Sequence, residues 1–379
     1  MLVRADLNVP LADGGVADET RIRAALPTIH LLLKQDATVI LVSHLGRPEG
    51  RDELSMRPVR DRLARHLSVP VTLAPGVVGA EVEAAAAATE PGHVLLLENS
   101  RWEAGETKND PDLAADLASL ADIYVNDAFG AAHRAHATTE GVAHHLPSYA
   151  GLLLERELSE LTALRDKPER PLVVVLGGAK VSDKVGVLER FLEIADTILI
   201  GGAMCFSFFR ARGVGTGDSL VEEEGVALAE KVLEAAERSD CELLLPTDLV
   251  IADSFSEEAE RKELGGIEVP DGWMGLDIGP ETTKRYAEAG AGAGSVLWNG
   301  PMGAFEMEPF AAGTRGVAEA VASAPGHTVV GGGDSAAALV AFGLDQDVDW
   351  LSTGGGASLE LLEGKELPGV MALEAPRTQ

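Results

Sequence analysis

Short runs of β-branched and aliphatic residues recur along this chain between longer amphipathic stretches, and no other feature restricts its fold as much. That alternation is the pattern of βα units laid on a parallel sheet. In the first half it predicts strands at Leu2–Leu7, Thr38–Ser43, Val71–Leu73, His93–Leu97 and Ile123–Asn126. In the second half it predicts Leu172–Leu176, Thr197–Ile200, Glu242–Leu245, Val296–Trp298, Thr328–Val330 and Trp350–Ser352. Helical periodicity marks Arg21–Lys34, Pro111–Ala121, Val185–Ala195, Ser219–Glu237 and Phe310–Ser323. One sheet holding all these strands would be unusually wide. The expected fold is therefore α/β, with two doubly wound, Rossmann-like parallel-sheet domains in series. The amphipathic segment Leu152–Leu164 and the turn-rich Asp166–Pro171 predict a hinge helix and a loop between them. The expected divisions are a first domain at 1–149, a hinge and linker at 150–170, a second domain at 171–355, and a segment at 356–379 that returns toward the first domain.

Charge narrows the partners. The 379 residues carry 31 Lys+Arg against 61 Asp+Glu, a formal net charge of −30. With no basic run to offset it, such a field repels nucleic acid and anionic lipid, so neither is expected as a partner. Hydrophobic residues make up 46% of the chain and the acids are evenly spread, which argues for a folded protein with an acidic surface rather than a disordered tail. The plain expectation is a soluble protein of a salt-rich cytosol, where counter-ions screen the repulsion. Cys205 and Cys241 are too few for a disulfide framework, which also points to a reduced, cytoplasmic location. No apolar run approaches the roughly 20 residues of a membrane span. The opening Met1–Asp6 reads as a strand, not a signal peptide, and its abruptness suggests that leading residues are missing.

In open α/β sheets ligands bind beyond the carboxyl ends of the strands. In the first half those ends carry Asp6 and Asn8, then His44-Leu45-Gly46-Arg47, then Arg101, then Asn126-Asp127 leading to His133, Arg134 and His136, while Arg21 opens the first helix. Any one arginine in so acidic a chain reads as a surface ion-pair partner. Four of them, Arg21, Arg47, Arg101 and Arg134, near one sheet edge read as a pocket for a small, multiply anionic substrate, because guanidinium forks match phosphate and carboxylate oxygens. His133 and His136 have metal-ligand spacing but no third ligand, and read better as hydrogen-bond donors to the same anion.

The second half carries glycine in the corresponding places: Gly177-Gly178-Ala179-Lys180 with Lys184, Gly201-Gly202, Gly331-Gly332-Gly333-Asp334-Ser335 and Gly354-Gly355-Gly356. Tight strand-to-helix turns explain any one of these. Four at one edge, with two lysines, read as a nucleoside polyphosphate site in which backbone N–H groups approach phosphate oxygens. Asp334 is either a magnesium ligand or a helix N-cap. Neither the GxxxxGK[ST] loop nor the protein-kinase signatures are present.

Taken in order, VRADLNVP, SHLGRP, LLLENSRW, YVNDAFGAAHRAH, LGGAKVSDK, GLDIGPET, VLWNGPMGAFE, GGGDS and STGGGASLELLEGKELPGV resemble the phosphoglycerate kinase family over nearly the whole chain. The resemblance implies a monomeric, two-domain enzyme that moves a phosphoryl group between 1,3-bisphosphoglycerate and MgADP. It implies that Asp6, Leu7, Asn8, Arg21, His44, Leu45, Gly46, Arg47, Arg101 and Arg134 hold the acid substrate. It further implies nucleotide contacts from Gly178, Ala179, Lys180, Lys184, Gly201, Gly202, Gly275, Leu276, Asn299, Pro301, Glu306, Gly333, Asp334, Ser335 and Ala336, with Mg2+ on Asp334. GGGDS departs from the family's usual Thr after the Asp but keeps the hydroxyl.

In that reading Arg21 and Lys180 act on the migrating phosphoryl group, and N–H groups near Gly333 and Gly355 act as fixed dipoles. Transfer is direct and in line, and completed by domain closure. A carboxylate leaving group needs no general acid, so His44 is expected to bind rather than donate a proton. Two alternatives stay open on the residues alone: a kinase for a different small carboxylic acid, and a non-catalytic nucleotide-binding homologue.

Overall fold

The computed structural model describes residues 1–50 and 53–374, and its contacts divide the chain into two units, Met1–Ser159 with Glu366–Gln379, and Glu160–Lys365. In the first unit six parallel strands lie in the order Val71–Leu73, Val94–Leu96, Val39–Val42, Leu2–Arg4, Tyr124–Asn126, Ser148–Ala150. From Leu2–Arg4 the chain winds one way and then the other, so the loops beyond Leu2–Arg4 and Tyr124–Asn126 diverge and leave a crevice for ligand.

Of the five strands expected here the first is three residues shorter, and a sixth was not expected. The first ends at Arg4 instead of Leu7 because the next N–H groups leave the ladder: Ala5 still donates to Val42 O at 3.2 Å, but Leu7 donates to Ser43 Oγ at 3.0 Å. The sixth strand, Ser148–Ala150, falls where a domain end and linker were expected. It is a half-exposed edge strand paired on one side only, and its Ser-Tyr-Ala has no apolar run to reveal it.

The second unit has the order Glu242–Leu244, Thr197–Ile200, Leu172–Leu176, Ser295–Asn299, His327–Gly331, Trp350–Ser352, again all parallel. Numbered along the chain this is 3-2-1-4-5-6, the Rossmann order, with its switch point between Leu172–Leu176 and Ser295–Asn299. Leu172–Leu176 is buried at every position, as a strand covered on both faces by helices must be. A separate antiparallel sheet, Arg261–Leu264, Leu249–Ala252 and Met274–Ile278, was not legible, since RKEL carries no apolar alternation.

The helix Leu152–Asp166 begins in the first unit and ends in the second. Asp127 Oδ1 accepts from the N–H of Leu153 at 2.9 Å and Leu154 at 3.4 Å, and Thr28 Oγ1 accepts from Leu152 N–H at 2.9 Å. Near its other end Arg165 Nη1 donates to Leu361 O at 3.0 Å. The closing helix Pro368–Glu374 packs within the first unit: Gly369 N–H donates to Ala132 O at 2.8 Å and Asn126 Nδ2 to Gly369 O at 3.1 Å. Residues 375–379 of the expected 356–379 segment lie outside the described residues.

Candidate active site

In the first unit Asp6 and Asn8 turn the chain out of the first strand and organise their neighbours. Arg21 Nη1 lies 3.1 Å from both Asp6 carboxylate oxygens and 3.2 Å from Asn8 O, while Asn8 Oδ1 accepts Gly46 N–H at 2.8 Å. Asp6 thus orients the Arg21 guanidinium, and as a carboxylate it is itself no donor to an anion. Leu7 and Leu45 are buried in the core, their N–H groups given to Ser43 Oγ and Asn99 Oδ1, so they shape the loops rather than present a donor.

Arg4, not among the expected site residues, is fully buried at the centre of this region. Its Nη2 lies 2.9 Å from His44 Nδ1 and its Nε donates to Thr138 Oγ1 at 2.9 Å; Thr138 Oγ1 in turn donates to buried Glu106 Oε1 at 2.6 Å. A guanidinium only donates, so His44 Nδ1 is the acceptor and the ring proton sits on Nε2. Burial, followed by the charges of Arg4, Arg101 and Arg21, holds His44 well below its ordinary value. It is neutral at pH 7 and offers one N–H. The pKa of His136 is also lowered, by burial and then by Arg4, Arg101 and Arg134 acting against Glu106.

Arg101 Nη1 donates to Gly46 O at 2.5 Å, and its pKa is lowered by burial, then by Arg4 and Arg47. Its Nε is buried without an acceptor among the described residues, an orphan that an incoming anion would satisfy. Arg47 and Arg134 are exposed. The expected first-half residues therefore share one electropositive field, with Arg4, Thr138 and Glu106 as its unforeseen support. A buried charge and a surface one share a one-letter code, so nothing in the sequence marks them.

In the second unit the glycine turns meet at the switch point. Gly177 and Gly178 donate to Asn299 O and Pro301 O, each at 3.0 Å, and Gly202 to Met302 O at 2.9 Å. Gly202 has φ +65°, and a Cβ there would lie 2.4 Å from Gly178 N, so only glycine lets these two turns pack. Two cavities share Gly178, Ala179 and Asp334. One, of about 570 Å³, is lined by Lys180, Lys184, Asn299, Gly333, Ser335 and Gly355. Lys184 Nζ donates to Asn299 Oδ1 at 2.6 Å, and burial lowers its pKa. Ser335 Oγ accepts Gly300 N–H at 2.6 Å, so the retained hydroxyl has a structural use.

The other cavity, of about 530 Å³, takes in Gly202, Gly275, Leu276, Pro301 and Glu306, but its apolar walls are Phe206, Leu220, Phe255 and Met274. Leu220 and Phe255 are 64% and 69% exposed at its mouth, too apolar for open water and suited to a flat ring. Sequence reading missed them because isolated apolar residues in acidic loops carry no signature. Gly201 is buried and Ala336 is in the first helical turn after Gly333; neither lines these cavities. No group of three or more potential metal ligands occurs among the described residues. Asp334 is an exposed carboxylate directly after Gly332-Gly333 and lines the same cavity as Asp183, Glu360 and Glu363; in the first helical turn it fits a hard cation whose other ligands are phosphate oxygens and water.

A family model described as phosphoglycerate kinase matches residues 1–365. The phosphoglycerate kinase of Moorella thermoacetica is 56% identical over 375 residues, covering 98% of this chain and 95% of that protein. That of Herpetosiphon aurantiacus is 54% identical with the same coverage. Among solved structures, phosphoglycerate kinase from Coxiella burnetii superposes with a TM-score of 0.87 at 41% identity, and that from Pyrococcus horikoshii with 0.85 at 32%, each over 98% of this chain and 95% of the other.

Proposed function

This chain belongs to the phosphoglycerate kinase family, which makes it a phosphotransferase that moves a phosphoryl group reversibly between 1,3-bisphosphoglycerate and ADP, and we propose how its residues divide that work. The observation that carries the division is chemical asymmetry: one unit gathers guanidinium groups, the other glycine turns and lysines beside an apolar slot. The acid substrate binds among Arg21, His44, Arg47, Arg101 and Arg134. The nucleotide lays its base between Phe255, Leu220 and Phe206 and its phosphates over Gly178, Ala179, Lys184 and the turn at Gly333. Asp334 would hold Mg2+, which neutralises phosphate charge when bound.

Arg21 and Lys180 neutralise the equatorial oxygens of the migrating group, and N–H groups near Gly333 and Gly355 stabilise charge that develops on the nucleotide. Neutral His44 donates from Nε2 to the anionic acid. Its lowered pKa supports a binding role over that of a proton donor. Because the substrates belong to different units, in-line transfer requires closure around both and exclusion of water. Small-angle scattering should show contraction chiefly with both substrates present; an unchanged radius of gyration in the ternary mixture would contradict closure.

The protein acts on small molecules, as a monomer in the cytoplasm, with a surface adapted to salt. No helix among the described residues is long and apolar enough to cross a membrane. The deciding assay compares 3-phosphoglycerate with glycerate and acetate, each with MgATP in high salt. Phosphorylation of 3-phosphoglycerate alone is expected; preference for another acid, or no turnover, would favour the other-carboxylate kinase or the non-catalytic homologue respectively.

A further inference from the structure

The turn that carries Lys180 is held by a residue from another element. Glu222 immediately precedes the helix Glu223–Ala236, yet its carboxylate makes no capping bond to that helix. It reaches instead to the Ser182 N–H, 3.1 Å from Oε2, and to the Ser182 hydroxyl, and it also accepts from the Val181 N–H. Burial pulls the Glu222 carboxyl up, but the bonds from Ser182 and Val181, with the charge of Lys180, together hold it below the ordinary carboxylate value. It is a fixed negative charge at neutral pH. Beside a polyphosphate site such a charge repels substrate, so its presence calls for a compensating role.

The surrounding geometry indicates that role. Val181 is buried and its O accepts Lys184 N–H at 2.9 Å, so the turn is anchored on its far side while Lys180 itself projects into solvent. Gly225, one helical turn past Glu222, leaves the carboxylate its place: a Cβ there would lie 2.5 Å from Glu222 Oε2. We propose that Glu222 is a positioning residue for phosphoryl transfer, clamping Val181 and Ser182 so that the main chain presents Lys180 to the migrating phosphoryl group. The proposal rests on the role given to Lys180 above.

Three substitutions disturb the clamp by different routes. Glu222→Ala removes it, Ser182→Ala removes one donor, and Gly225→Ala pushes the carboxylate aside from within a helix, where alanine is intrinsically better than glycine. Each is made in the wild type and in Lys180→Ala, and kcat, KM for ADP and melting temperature are measured. In the wild-type background kcat should fall about tenfold for Glu222→Ala and less for the other two, with KM for ADP within about twofold. Gly225→Ala should lose turnover without losing melting temperature, an outcome that a merely structural role cannot produce. In the Lys180→Ala background the Glu222→Ala loss should vanish, since the two act as one unit. Equal losses in both backgrounds, or lowered melting temperatures with wild-type kcat, would overturn the proposal. Wild-type turnover in Lys180→Ala alone would instead show that the assignment of Lys180 had failed, and the clamp with it.

Discussion

Asp277 is 3% exposed, with Oδ1 taking the N–H of Ile278 at 2.9 Å and Oδ2 that of Gly313 at 2.7 Å. Despite these bonds burial pushes its carboxyl up to about 7. In the unfolded chain the group ionises near 4, so between about pH 4 and about pH 7 the folded state binds more protons and stability falls as pH rises. Asp277→Asn cannot titrate, and the wild type's margin in melting temperature over this variant should shrink from about pH 5 to about pH 8. Parallel melting curves would show that Asp277 is not held protonated. For Arg21 and Lys180 the reading is chemical rather than structural. Alanine at either should cost roughly 10²–10³ in kcat, as for one preorganised donor, and leave the fold intact. Turnover within twofold of wild type in either variant would remove that residue from the machinery. Arg21 was legible because it opens a helix beside a strand-end motif. Arg4 was not, because its meaning depends on Thr138, which is 134 residues away and supplies the link to Glu106.

Among the elements, legibility followed burial. Leu172–Leu176, buried throughout and aliphatic, appeared with the predicted bounds, whereas the edge strand Ser148–Ala150 and the charged Arg261–Leu264 had no pattern to show. Of the helices that were expected, Ser219–Glu237 was drawn too long against the observed Glu223–Ala236, since periodicity persists into the loop that precedes the first helical turn, while Leu152–Leu164 was drawn two residues short of Asp166. The helix Leu152–Asp166 was recognised from its amphipathic pattern, but what starts it was not. Its first N–H groups need acceptors, and Asp127 and Thr28 supply them from two other elements. Thr28 accepts from Leu152 N–H and donates to Asp127, whose carboxyl burial pushes up to about 6. Asp127→Ala should therefore destabilise the first unit by about 1–2 kcal/mol, the cost of a lost cap. Denaturant melts followed by circular dichroism would measure this. A change of only a few tenths would mean that the helix is fixed by packing alone.

At the scale of the whole molecule, a net charge of −30 accompanies the arginine cluster proposed to bind the acid substrate, and the two should respond to salt in opposite senses. At about 0.01 M salt the Debye length is about 30 Å, so acidic groups across the surface repel one another; at about 1 M it is about 3 Å and only near neighbours interact. Exposed pairs such as Arg210–Glu223 and Arg285–Glu242 offset little of this repulsion, since ion pairs in water contribute at most about 1 kcal/mol each. Screening should therefore raise the melting temperature steadily as KCl goes from about 0.05 M to about 2 M. The same screening weakens attraction between the arginine cluster and its anionic substrate, so KM for 3-phosphoglycerate should rise or stay level while stability improves. Separate movement of the two quantities identifies the acidic surface as the source of the stability effect, because a single cause at the active site would shift both together. A melting temperature that is flat or falling across that range would leave the excess of acids without a role in salt tolerance.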